Sequence, residues 1–396
     1  MNGSLPYGST LCRTATGYLL VIHALLMIFT SVCGAAEALP EVTARSFLKT
    51  YPPISYKGQN QVYDVVKDHR GVLFAGNNVN GVLEYDGIHW RTIPLSNNNT
   101  AYSLAVSNSG RVFVAGSGDI GFLSQKNGAT IYESLLDKIP AAHRTFGRAQ
   151  VECIGDSAFF NTGTAVLLWQ DNDFIVIENP SGSEFDELFP ANGAIYTSDR
   201  NGTIFRIQGR TAEPIFQEQP DVYGGYIFKN DYNMPSINLV LPLDSDTILI
   251  GTYFRGFITF DGQQLAPFET EADPFLIGNM GYSATRLNNG EFAVSTVDQG
   301  VIVIDREGRL KAWFRQENGL TENTVYGIFQ DRHNGLWIAT DFGLNQVLYP
   351  SPFTLYDRFS GLAGQVRKTT ELNGTLYVAT SQGAFKSRSP ASALGL

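Results

Sequence analysis

The chain has 396 residues, of which 43% are hydrophobic and only 17% charged, with 40 glycines and a formal net charge of −10. That length allows one large repeat domain or two to three ordinary domains. The negative balance argues against a nucleic-acid partner, which would need a basic face to meet phosphate. Neutral or cationic small molecules and sugars remain open.

The N-terminus reads as an export signal. Arg13 is the only charge ahead of an apolar run over residues 18–29, and small residues follow to an Ala36-Glu-Ala38 cleavage site. Residues 1–38 are therefore expected to be a signal peptide, with an uncleaved anchor as the alternative. The run is short for a membrane span, which needs about 20 residues. Cys12 and Cys33 fall in this leader. Cys153 is then the one cysteine of the mature chain, expected to be a small buried hydrophobe with no disulfide to form.

From residue 45 to 386 one pattern recurs. An apolar run is followed by a small residue, a few polar residues, a glycine and a second apolar run. Gly81, Gly121, Gly202, Gly256, Gly300, Gly343 and Gly383 mark the copies, and residues 158–167 hold a degenerate one. The spacing of about 40–45 residues is that of a four-stranded propeller blade. Period-2 alternation runs through each unit, with no convincing helical periodicity after the leader. The predicted fold is all-β, a β-propeller of seven to eight four-stranded blades. Seven units are full and an eighth stops after its third strand near Lys386, leaving 387–396 as a tail or truncation point. In the seventh unit, residues 352–356 are expected to form the outer strand. Residues 46–51 resemble that strand and could clasp the ring. Either the clasp closes eight blades, or seven close and the eighth unit begins a second propeller.

The unit at 318–344 runs Gly319-Leu, a polar gap, an apolar strand ending in Asp331, then Gly335-Leu-Trp-Ile-Ala-Thr340 and Gly343-Leu. It resembles the two-component regulator propeller repeat, with Ala339 where that family usually has glycine. Residues 61–90 are similar to the first repeat of the same sensors. The resemblance implies the periplasmic half of a bacterial membrane receptor, often a glycan sensor. In that family a triple-tyrosine module, a membrane helix and a kinase, cyclase or DNA-binding output follow. None of these is encoded within the 396 residues, so the expectation is a non-enzymatic sensing fragment of an inner-membrane receptor, exported to the periplasm or beyond. A stand-alone secreted binding or adhesion module is the alternative, and a propeller lyase or glycosidase a further one.

Other motifs have plainer readings. Gly116-Ser-Gly-Asp-Ile-Gly121 spells a dinucleotide fingerprint, but a strand follows where a helix N-terminus is required, so a hairpin is expected. The acidic stretches 184–187 and 269–273 lack calcium-loop spacing and are expected to be solvated loops. The five histidines show no ligand spacing, although His69 and His333 occupy equivalent turns. No metal, catalytic residue or cofactor is expected.

Ligands of a propeller usually meet a loop-bearing face. The turns between second and third strands place Tyr253, Arg255, Arg200, Asp298, Asp341 and Phe342 there as candidate ligand-binding residues, with Asn78, Asn80, Asp119, Gln299 and Gln382 beside them. Their chemistry suits an oligosaccharide or other small molecule, an acidic sugar in particular near Arg200 and Arg255. The tyrosine-rich insertion at 221–233 is a second candidate. Membrane contact would come only through a C-terminal span beyond this chain or an uncleaved leader. A homodimer is left open.

Overall fold

A computed structural model describes residues 39–42, 44–79, 81–217, 237–253 and 255–388. The leader and the 221–233 insertion lie outside these residues. The regular structure of the described residues is almost all β, arranged as eight four-stranded sheets. It divides the repeat region into two compact units, one holding residues 45–354 and one holding the described parts of 1–44 and 355–396.

The larger unit contains seven of the sheets. Their first strands are Val62–Lys67, Ala101–Val106, Gln150–Ile154, Phe185–Ala191, Ile237–Pro242, Met280–Arg286 and Val325–Gln330. Each of these strands neighbours the next, and the last neighbours the first. They therefore surround a common axis, and each sheet runs outward from it by antiparallel hairpins, the propeller arrangement.

The seventh sheet differs from the sequence expectation. Its outer strand is Leu48–Tyr51, which pairs antiparallel with Gly343–Leu348. Residues 352–356 form no strand with it. The outer position goes to the N-terminal segment, whose N–H groups are all available, whereas Pro350 and Pro352 have none to give. The clasp thus completes the seventh unit. The eighth unit, Val366–Leu372, Thr375–Thr380 and Gly383–Ser387, pairs in parallel with Glu41–Val42 in the smaller unit.

The repeat residues have identifiable work. Asp331 ends the first strand and accepts the turn N–H groups of His333 and Gly335, both at 2.9 Å, while its other oxygen accepts the Trp337 indole N–H at 3.2 Å. Asp68 and Asp305 close their turns in the same way. In the fifth, sixth and seventh sheets the threonine ending the second strand bonds the glycine carbonyl that opens the third: Thr252 to Gly256, Thr296 to Gly300 and Thr340 to Gly343. Gly300 and Gly343 have φ of +77° and +96°. A Cβ there would stand 2.0 and 2.5 Å from the carbonyl oxygens of Phe314 and Tyr51 in the outer strands. Glycine is thus required twice over, by backbone conformation and by the close approach.

Between sheets, side chains replace the missing backbone ladder. The Asp64 carboxylate accepts Leu104 N–H at 2.7 Å, and Ser103 Oγ donates to Val151 O at 3.1 Å. Gln150 bonds both N–H and C=O of Leu188, at 2.6 and 2.9 Å. Asn238 donates to Met280 O at 3.2 Å, and Ser283 Oγ accepts Ile328 N–H at 3.1 Å. Each stitch satisfies backbone groups that face the axis and would otherwise lack partners. Apolar side chains fill the seams, among them Phe74, Phe113, Phe160, Phe205, Phe257 and Phe292, all fully buried. Trp337 and Tyr196 are buried in this core, as their strand positions suggest. Cys153 is half-buried against the core around Phe160, and burial pushes its thiol up, away from reactivity.

Candidate functional site

Three tyrosines occupy the second position of neighbouring first strands: Tyr326 in the seventh sheet, Tyr63 in the first and Tyr102 in the second. Alternation puts this position on the opposite face of its strand from the preceding Val325, Val62 and Ala101, which are buried, and the three tyrosines are half-buried. The rings touch in sequence, with centroids 5.1 Å apart between Tyr326 and Tyr63 and 4.9 Å between Tyr63 and Tyr102. Arg148 continues the row, its guanidinium 5.5 Å from the Tyr102 ring and 3.0 Å from Glu187.

A polar rail runs beside the rings. Gln61 donates to Asp341 at 2.7 Å and accepts from Tyr63 and Asn78, both at 2.9 Å; Thr100 donates to Asn78 at 3.0 Å. Tyr326 donates to Asp341 at 3.1 Å. Burial, reinforced by the Asp341 charge, pushes the Tyr326 phenol up to about 12, so it stays a neutral donor.

Next to the tyrosines the axis holds a cavity of about 350 Å³ lined in part by Asp64, Gln150, Glu152, Ser283 and Arg286. Asp186 and Glu187 lie on the Phe185–Ala191 strand, half-buried. This corrects part of the expected solvated loop at 184–187: Glu184 is exposed as expected, whereas Phe185 begins a first strand and Asp186 and Glu187 are partly withdrawn from water. Burial raises the Asp64 and Glu187 carboxyls to about 7 against two N–H bonds in the first case and Arg148 in the second. Burial, then the Asp64 and Glu187 charges, raise Glu152 well above the usual carboxylate range, and burial also raises Asp186.

Carboxyls raised in the folded state bind protons that the unfolded chain has already released. Stability therefore falls as pH rises from the unfolded values of 3.8 and 4.5 to about 7. The expected result is a higher unfolding midpoint at pH 5 than at pH 8, with Glu152→Gln recovering part of the loss at pH 8. Equal midpoints in denaturant at the two pH values would contradict these carboxyl environments.

Of the six residues singled out from sequence, Asp341 joins the tyrosine network. Phe342, beside it, is 43% exposed. Arg200 is exposed and paired with Glu184 at 2.5 Å. Tyr253, Arg255 and Asp298 sit on the second-to-third turns of the fifth and sixth sheets, Tyr253 half-buried and the other two exposed. Asn78 and Asp119 also lie in such turns, with Asn78 in the rail and Asp119 buried against Ser134 at 2.6 Å. The 116–121 segment is a hairpin between Val112–Gly116 and Ile120–Lys126.

Residues 319–342 match the family model for the two component regulator propeller. That stretch is a regulator propeller repeat. It supplies Tyr326 and Asp341, and so one side of the tyrosine row. No curated protein sequence matches the chain. Among solved structures, the extracellular domain of BT4673 from B. thetaiotaomicron superposes with a TM-score of 0.58 at 16% identity, over 87% of this chain. The chain spans 45% of that domain's length. PorZ, a surface component of the type-IX secretion system of Porphyromonas gingivalis, gives 0.56 at 15% identity over 84% of this chain and 60% of its own. Streptogramin B lyase gives 0.56 at 13% identity, over 76% of this chain and 97% of its own. At these identities the three share the propeller fold with the regulator repeat.

Proposed function

We propose that this chain is an extracytoplasmic ligand-sensing propeller that takes an oligosaccharide against Tyr326, Tyr63 and Tyr102, over the carboxylate-lined axis. The observation that carries the reading is the row of half-buried tyrosines bordered by Gln61, Asn78, Asp341 and Arg148. Sugar rings offer apolar faces to stack on aromatics and hydroxyls to meet amides and carboxylates, the mix present here. The acidic axis favours neutral or amino sugars over the acidic sugars suggested by Arg200 and Arg255. The regulator repeat, together with the leader-like N-terminus, supports an exported position and a role upstream of a signalling output. BT4673, whose matching part is an extracellular domain, is named as a hybrid two component system with one structure and as a one component system with another, and that likeness supports the same direction.

The test is calorimetric titration of the exported protein with a panel of neutral and amino oligosaccharides. Tyr63→Ala and Tyr326→Ala are each expected to weaken binding at least about tenfold, the loss of roughly 1.4 kcal/mol of contact. Arg200→Ala is expected to leave binding within about twofold, since exposed pairs contribute little. Recovery of unchanged oligosaccharide separates sensing from turnover. Unaltered affinity in both tyrosine variants would refute the site.

A further inference from the structure

The opposite ends of the same strands hold a second cavity. It lies between the turns that follow Val62–Lys67 and Val325–Gln330, has a volume of about 470 Å³, and is lined by Lys67, His69, Phe329, Arg332 and His333 along with Asp68, Gly71 and Asp331. We propose that it binds a small molecule carrying an oxyanion, phosphate or carboxylate, on an apolar body.

The two acids of the pocket are already committed. One oxygen of each accepts N–H groups of its own turn. The other oxygen of Asp68 accepts from Arg70 Nε at 2.8 Å. The other oxygen of Asp331 accepts from Lys67 Nζ at 2.9 Å and from the Trp337 indole at 3.2 Å. Three basic side chains remain. Among the described residues, Arg332, His69 and His333 have no side-chain hydrogen bond or ion pair, and all three are exposed. An oxyanion would satisfy several of these donors at once, and the arginine fork matches the geometry of both phosphate and carboxylate. Lys67, pinned against Asp331, adds a fixed positive charge.

The setting is built rather than accidental. The His69 ring is seated against the turn at Gly110 of the second sheet, where a Cβ would come within 3.2 Å of Nδ1. Phe329 is half-buried and supplies the apolar wall, which is why an anion with an apolar body fits better than a bare ion. The equivalence of His69 and His333, evident from sequence but unused by the tyrosine site, has a role here: two neighbouring blades present an imidazole each to one cavity.

The experiment is titration of the whole protein with phenyl phosphate, benzoate and inorganic phosphate, following histidine imidazole resonances by NMR. Saturable shifts of the two resonances that disappear in His69→Gln and His333→Gln are expected with phenyl phosphate or with benzoate; whichever binds tighter identifies the anion. Inorganic phosphate is expected to bind more weakly than phenyl phosphate. Arg332→Gln should weaken binding about tenfold or more while leaving the unfolding curve unchanged, because its side chain is exposed and unbonded. Absence of saturable shifts with both aromatic anions, or an unchanged affinity in Arg332→Gln, would overturn the proposal. Oligosaccharide binding at the tyrosine row is a separate readout and is expected to be unaffected by these variants.

Discussion

Tyr51→Ala is expected to destabilise the larger unit by about 3–5 kcal/mol, the range for truncating a buried aromatic. Tyr51 is the last residue of the N-terminal clasp strand and is 5% exposed. Its ring stacks on Trp337 of the seventh sheet, with centroids 5.7 Å apart, and meets Tyr85 and Trp90 of the first sheet edge-on at 5.5 and 5.6 Å. One side chain therefore joins the clasp to both sheets at the seam between the seventh sheet and the first. Tyr51→Phe keeps the ring contacts and is expected to stay within about 1 kcal/mol of the parent. The measurement is denaturant unfolding, with limited proteolysis reporting release of the N-terminal strand. An alanine variant that unfolds with the parent would mean the clasp does not hold the ring.

Gly300→Ala is the second large effect. The residue opens the third strand of the sixth sheet with a φ of +77°. A left-handed alanine costs about 1–2 kcal/mol from conformation alone. Its methyl would also stand 2.0 Å from Phe314 O and 3.0 Å from the carbonyl carbon, so the outer strand must move. Moving it disturbs Phe314, buried in the core shared with Val325 and Ile338 of the next blade. The combined loss is expected to exceed about 3 kcal/mol, in the diagnostic tail of point mutations. Gly290→Ala is the internal comparison. It has a φ of +87° but only Arg306 Nε nearby, at 3.8 Å, so it should show the conformational cost alone. If the two variants lose the same stability, the close approach to the outer strand is not what selects glycine.

These two positions also show what could be read from sequence and what could not. Gly300 and Gly343 were visible as repeat markers because the physical demand on them is local: a tight turn and a neighbouring hairpin strand. Asp331 and Trp337 are legible for the same reason, since the two residues that bond across the hairpin lie only six apart in sequence. From the sequence the outer strand of the seventh sheet is expected at residues 352–356, the next run after the third strand, with Pro352 tolerated at an edge. The true partner of Gly343–Leu348 lies near the other end of the chain, and local pattern carries no information about which of two similar strands wins.

The candidate-site residues divide in the same way. Asp341 is legible in the sequence because it decorates a turn. Tyr63, Tyr102, Gln61 and Arg148 were not singled out, since in a strand a tyrosine reads as core. A signal was present: superposing the repeats puts Tyr63, Tyr102 and Tyr326 at one register position in three neighbouring blades, and blade neighbours around a ring touch. Asp186 and Glu187 were hidden by their acidic neighbours, which made the start of a strand look like a loop. Their proximity to Arg148 and Glu152 arises only when separate blades meet at the axis.

The central claim is that the tyrosine row is where ligand meets the propeller. Its most direct test is to locate a bound oligosaccharide in a crystal of the protein grown with the tightest member of the calorimetric panel. The expected result is a sugar ring packed on Tyr63, Tyr102 or Tyr326, with hydroxyls on Gln61, Asn78 or Asp341. A sugar seated instead on the Tyr253, Arg255 and Asp298 turns, away from these rings, would contradict it.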